Sequence, residues 1–286
     1  MDHRLSDTPT VSGVALAAVP ETLLWTLYHR ATEARRPDAV LDDPRAIELV
    51  DAIDFPFEER FGVATAGWAQ WQALRARCFD LAITSFLERA PDATVVALGE
   101  GLETQFWRVD NGRVQWVSVD FEEAIDLRRR LLPVEPRQRL VAASVLDAAW
   151  LDQIETATEV LVTAQGLLMY LAPADVHALI TSVTTQISRG ALLFDAVSHR
   201  LAERSRSGKL ERPGGYRPPP WLWGVDRAEK DWIRSRPNVA ELRPLRLPRG
   251  RGPLFGAALP LLGRVPLIRD AMFSIMRARL REPGSG

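Results

Sequence analysis

A doubly wound α/β fold with a mostly parallel sheet is predicted for this 286-residue sequence, and three observations predict it. From Thr94 onward, apolar runs of strand length alternate with helical stretches, the pattern of successive βαβ units. The first run ends in the turn Gly99-Glu100-Gly101, and the second ends in an acid, Asp120. Helical periodicity fills the chain upstream of Thr94. Together these imply a sheet covered on both faces, preceded by an N-terminal helical layer.

In chain order, residues 14–33 carry Leu16, Val19, Leu23, Leu27 and Ala31 three or four apart. That spacing marks one face of a helix, with Pro20 tolerated near an early turn. Asp42-Asp43-Pro44 marks a turn, and a second helical run over 67–89 stops before Pro91. Strands are predicted at 94–98, 114–119, 139–143, 160–164 and 191–194, with helices at 124–132 and 174–188 between them. Residues 239–247 and 271–280 are weaker strands that complete the sheet edge, the latter fitting a helix equally well. Before them the rhythm breaks: residues 198–236 hold Arg204-Ser205-Arg206-Ser207-Gly208, Pro218-Pro219-Pro220, Trp221 and Trp223, a composition expected of an inserted lid.

Composition narrows the partners. Hydrophobic residues make up 47% and charged residues 26%, enough apolar material for a sizeable core. With 36 basic against 37 acidic residues and a net charge of -1, no broad cationic surface is expected for a phosphate backbone, so nucleic acid is not an expected partner. The lone Cys78 cannot form an intramolecular disulfide, and no Cys/His spacing resembles a zinc site. No metal and a reducing, cytoplasmic setting are expected. Met1-Asp2-His3-Arg4 opens no signal peptide, and no apolar run reaches the length of a membrane span. The apolar, arginine-dotted stretch 254–281 permits contact with a membrane surface or a partner, although a final strand is the preferred reading.

Gly99 and Gly101 let the backbone pass close to a ligand, and a carboxylate at Asp120 can accept two hydrogen bonds from ribose hydroxyls. An ordinary strand-to-helix turn with a surface aspartate would look similar. The third glycine of a dinucleotide fingerprint is missing, since Leu102-Glu103-Thr104-Gln105 follows. Nothing there eases a pyrophosphate onto a helix N-terminus, so a nucleoside ligand without phosphates fits better than NAD.

Several motifs in order resemble those of the leucine carboxyl methyltransferase superfamily, especially its bacterial branch of tetracenomycin-type polyketide O-methyltransferases. They are Arg75-Ala76-Arg77-Cys78-Phe79-Asp80, Leu98-Gly99-Glu100-Gly101-Leu102-Glu103-Thr104, Val119-Asp120-Phe121 with Leu127-Arg128-Arg129, Ser144-Val145-Leu146-Asp147-Ala148-Ala149-Trp150, Gln165-Gly166-Leu167-Leu168-Met169-Tyr170-Leu171 and Pro218-Pro219-Pro220-Trp221-Leu222-Trp223-Gly224. The resemblance implies a class I methyltransferase-like fold over residues 1–286: helical layer 1–91, cofactor-binding core 92–197, lid 198–236 and sheet completion 237–286. It also implies S-adenosyl-L-methionine as cofactor and O-methylation of a carboxylate or hydroxyl on a small aromatic or polyketide-like metabolite.

By the same resemblance, Arg75 rather than Arg77 pairs with the cofactor's methionine carboxylate, through the fork a guanidinium offers. Gly99, Gly101 and Asp120 hold the nucleoside, and Val145, Leu146 and Asp147 lie at the adenine. Gln165 stands where many relatives carry glutamate, which keeps hydrogen bonding but removes a charge.

Methyl transfer from a sulfonium is an in-line displacement that needs alignment and a dry enclosure more than catalytic groups. A carboxylic acid, with a pKa of about 4, is already ionised, whereas a phenol of about 10 benefits from a general base. His199, just past the strand that ends near Phe194, is the candidate base, with a hydrogen-bonded loop residue as the plainer reading. Tyr170, Tyr216, Arg217, Trp221 and Trp223 are candidates for the acceptor's wall, and Arg30 for closing over the cofactor. Two other functions stay open on sequence: a noncatalytic nucleotide-binding protein, favoured by Gln165, and an NAD-dependent oxidoreductase.

Overall fold

The strands are β1 (Thr94–Leu98), β2 (Gln115–Asp120), β3 (Gln138–Ala142), β4 (Val160–Ala164), β5 (Gly190–Ala196), β6 (Val239–Leu245) and β7 (Ser274–Leu280). They form one seven-stranded sheet in the order β3-β2-β1-β4-β5-β7-β6. The first five pair in parallel, and β7 runs antiparallel to both β5 and β6. The computed structural model describes residues 21–154, 158–209, 216–262 and 273–281.

The central strands are apolar along their whole length because both faces of the sheet are covered. Every residue of β1 and β4 is buried. Val96, Leu98, Val117, Val162, Leu192 and Phe194 pack on one side with Val176, Ile180 and Val183 of the helix Pro173–Gln186. The alternate residues Val95, Ala97, Trp116, Leu161 and Leu193 meet Phe79, Ile83 and Phe86 of the helix Ala66–Leu87 on the other. A third cluster joins the helices Glu21–Ala34, Pro44–Ala52 and Phe57–Phe61 into an N-terminal layer. Pro244 falls in β6, at the sheet edge, where a missing N–H is tolerated.

Strands β1 and β4 coincide with their predicted spans, and the ambiguous 271–280 segment contains β7. The part of the first predicted helix before Glu21 lies outside the described residues. Inside the predicted lid two helices form, His199–Arg206 and Arg227–Arg234. Each buries a single residue, Ala202 or Ile233, too little to show a periodicity. Their signals are the caps: Ser198 accepts from Leu201 N, and Asp226 from Glu229 N.

The chain winds outward from β1 to β3 and then from β4 to β5, so direction reverses between β1 and β4. Open α/β sheets bind ligands at that crevice, beyond the carboxyl ends of the strands. Among the described residues, no helix is long and apolar enough to cross a membrane, and no cluster of His, Cys, Asp and Glu could hold a metal ion.

Candidate active site

A cavity of about 1000 Å³ opens at that crevice. Its floor is the turn 99–103 after β1, Asp120 and Phe121 at the end of β2, and Gln165–Leu167 after β4. Gly99 and Gly101 adopt φ values of 59° and 54°, in the left-handed region. A Cβ there would also lie 2.9 Å from Leu167 Cδ1 and 2.8 Å from Leu23 Cδ1. The backbone conformation therefore favours glycine at both positions, and a side chain there would also push against a leucine methyl.

The turn is held by two charged side chains. Asp120 accepts from Gly101 N through Oδ2 and from Phe121 N through Oδ1, both at 2.8 Å. Burial raises the Asp120 carboxyl above its usual range, against the pull of these two amides. From behind, Arg128 Nη1 donates to the carbonyls of Gly101 (2.7 Å) and Glu103 (2.9 Å), and Nη2 lies 3.3 Å from Glu100 Oε2. Trp116 Nε1 donates to Glu100 Oε1. Burial pushes the Glu100 carboxyl up despite Arg128.

Arg75, reaching in from the helix Ala66–Leu87, is buried at the cavity wall. Its Nη1 donates to Asp195 Oδ2 at 3.0 Å, and Asp195 Oδ1 accepts from Gly166 N at 2.7 Å. Burial raises the Asp195 carboxyl, with Arg75 opposing. Arg75 Nε and Gln165 Oε1 are buried without hydrogen-bond partners among the described residues.

Below the turn runs an ionic network that ties the N-terminal layer to it. Arg30 contacts Glu103 Oε2 (2.5 Å), Asp43 Oδ2 (3.2 Å) and the Leu102 carbonyl (3.0 Å). Arg108 reaches Asp43, Asp80 and Glu103, and Gln165 Nε2 donates to Glu103 Oε2 at 2.9 Å. Asp43, at the predicted turn, caps the helix Pro44–Ala52 and accepts from Thr104 Oγ1. Burial opposes the charge on Glu103, but Arg30 and Arg108 outweigh it and bring the carboxyl from 4.5 down to about 2.

A depressed carboxylate stabilises the fold above its unfolded-state pKa and loses that contribution as pH falls towards the folded value. Glu103→Gln should therefore lower the urea midpoint at neutral pH. The gap to the wild type should close as pH falls from 4.5 towards about 2. A gap independent of pH would show that Glu103 is not the ionised partner of the two arginines.

Of the residues singled out in the sequence, Arg75, Gly99, Gly101, Asp120, Gln165, Tyr170 and Trp221 line the cavity, and so does Arg30. The others do not. Val145 is turned into the core, where its carbonyl accepts from Trp150 Nε1. Leu146 is exposed, and the Asp147 carboxylate is spent capping Ala149 N. His199 does follow β5, but as the first residue of a surface helix; its ring is about half exposed, 3.5 Å from Glu203. Tyr216 packs on Phe61 and Trp25 in the N-terminal layer, Arg217 is exposed, and Trp223 is buried in the core against Phe194. Arg77 donates to the Val40 carbonyl, away from the cavity.

What the sequence reading missed is the rest of the wall. Trp25, Trp68 and Trp71 come from the helical layer, and Leu254, Phe255, Leu259 and Phe273 from the segment read as sheet completion or a surface contact. Phe121, 54% exposed beside Asp120, is the one with a sequence signal, its position directly after the ribose-type acid. The tryptophans carry none, because helical spacing alone does not distinguish a cavity-facing ring from a core one.

The sequence profile of the leucine carboxyl methyltransferase family matches residues 24–184. Over 246 residues the chain is 34% identical to the tetracenomycin polyketide synthesis O-methyltransferase TcmP of Streptomyces glaucescens, covering 81% of this chain and 89% of that protein. It is 31% identical over 202 residues to the S-adenosyl-L-methionine-dependent methyltransferase dpfgK of Gibberella zeae, covering 64% and 67%. Among solved structures, a DUF574-family protein of Streptomyces avermitilis superposes with a TM-score of 0.58 at 13% identity, over 93% of this chain and 99% of its own. That likeness concerns the fold alone.

Proposed function

The chain belongs to the leucine carboxyl methyltransferase family and is an S-adenosylmethionine-dependent methyltransferase, and from that premise we propose that it methylates a carboxylate oxygen of a small, aromatic, polyketide-like acceptor. The observation that carries the choice of carboxylate is the makeup of the cavity wall. Among the described residues no imidazole lines it, and its carboxylates Glu100, Glu103 and Asp120 are engaged by Arg128, by Arg30 with Arg108, and by two backbone amides. A carboxylate acceptor is already ionised at neutral pH and needs no base, whereas a phenol, with a pKa of about 10, does. His199 is accordingly given no part. The relative TcmP is an O-methyltransferase of polyketide synthesis, which supports the acceptor class.

The cavity's residues fit the cofactor. Left-handed glycines 99 and 101 leave room for a nucleoside, and Asp120 has lone pairs left for two ribose hydroxyls beyond the amides it accepts. The unmet polar atoms of Arg75 and Gln165 suit an amino-acid group. When bound, the cofactor supplies an electrophilic methyl on a sulfonium. Arg75 would hold its carboxylate and Phe121 would cover its adenine.

On the acceptor side, Trp25, Trp68, Trp71, Tyr170, Trp221 and Phe273 offer an aromatic wall for a planar molecule. That wall excludes water from the acceptor oxygen and restricts its angle of attack, the two contributions an in-line displacement needs. Leu201, Pro218, Pro219 and Trp221 are contributed by the segment 198–236, which we read as the lid.

Incubation with methyl-labelled S-adenosylmethionine and an aromatic polyketide acid, followed by mild base, tests the acceptor chemistry. The expected result is label released as methanol, the signature of an ester. Label retained through base would mark an ether and overturn the carboxylate reading.

A further inference from the structure

Arg75 is not free to turn. Asp195, the sixth residue of β5, has no exposed surface, and its two oxygens are divided between Arg75 Nη1 at 3.0 Å and Gly166 N at 2.7 Å. Gly166 has a φ of 70°, and a Cβ built on it would lie 2.9 Å from Arg75 Nη1 and 3.6 Å from Nη2. The Nη1 edge of the guanidinium therefore packs against a bare backbone, and the acid that binds the same nitrogen is itself oriented by that backbone. Arg75 Nη2 makes no hydrogen bond among the described residues and is not among the buried unpaired atoms.

We infer that Asp195 and Gly166 together form a positioning clamp for Arg75, which leaves its Nε and Nη2 as donors to the carboxylate of the cofactor's amino-acid group. The inference rests on the cofactor-binding role proposed for Arg75. Asp195 touches no ligand in this reading and acts only through the arginine. Its charge also suits the ligand. The Arg75–Asp195 pair is neutral in sum, as is the neighbouring Gln165 amide, and the zwitterionic end of the cofactor is neutral as well. An unopposed Arg75 would favour any small anion instead.

A side chain already held in one geometry loses less entropy on binding, so a clamp improves affinity for the group it aims at and for no other part of the ligand. The test uses two ligands in calorimetric titrations, S-adenosylmethionine and its decarboxylated form, which keeps the nucleoside, sulfonium and ammonium. One charge-assisted bond is worth about 1.5–3 kcal/mol, so the wild type should bind the decarboxylated form about tenfold more weakly or worse.

Asp195→Asn should bind S-adenosylmethionine about tenfold more weakly while binding the decarboxylated form as the wild type does. Gly166→Ala, whose Cβ would crowd Nη1, the nitrogen that Asp195 holds, should show the same split and serves where Asp195→Asn does not fold. Equal weakening of both ligands would mean that the pair only supports the fold, and undiminished discrimination in a folded variant would mean that Arg75 needs no clamp; either overturns the inference. If the wild type itself does not distinguish the two ligands, the role of Arg75 fails first.

Discussion

Asp120→Ala is expected to weaken S-adenosylhomocysteine binding by at least a hundredfold in calorimetric titration. Each hydrogen bond to a charged acceptor is worth about 1.5–3 kcal/mol, and two ribose hydroxyls are proposed to share this carboxylate, so the lost affinity lies at about two to four orders of magnitude. The loss has a second source. Asp120 also accepts from Gly101 N and Phe121 N, and without it the turn that borders the nucleoside loses its anchor. Asp120→Asn keeps an acceptor in place and should fall between the two. Unchanged affinity in a folded Asp120→Ala protein would show that the ribose lies elsewhere.

Arg128→Met should be the most damaging substitution for stability, by about 3–5 kcal/mol in urea unfolding at neutral pH. That is the usual cost of removing one partner from a buried ion pair and leaving the other uncompensated. Arg128 is only 2% exposed and binds the carbonyls of Gly101 and Glu103 as well as facing Glu100. Methionine fills much the same volume and isolates the loss of charge and donors. Arg128→Lys should recover part of it, because an ammonium cannot span three acceptors as a planar guanidinium does. A loss below about 1 kcal/mol in Arg128→Met would reduce the arginine to a surface-like pair.

How much of the site can be read along the chain depends on whether local order dictates position. Gly99, Gly101 and Asp120 are legible because they lie at or just past the carboxyl ends of β1 and β2, which border the crevice. Gln165 is legible for the same reason, directly after β4. Arg75 sits on a helix, where spacing alone does not reveal the face; the family motif rather than the pattern singled it out. Val145, Leu146 and Asp147 failed as cavity residues because a single residue's turn after β3 sends one side chain inward, the next outward and the third into a cap. Trp223 failed likewise: two residues from Trp221, it crosses from the cavity wall into the core.

Alternation of apolar runs and helical stretches is enough to specify the class of fold, since side-chain period and strand length are local properties. The turn proposed to hold the nucleoside follows from the same local rules. Long-range packing alone made the rest: Asp43, Asp80 and Arg108 brought together from three separate segments, Asp195 set beside Arg75 across 120 positions, and four tryptophans turned to one cavity. A buried charge must find its counter-charge wherever the fold supplies one. That choice is made by the packed sheet and its helices, and sequence neighbours do not announce it.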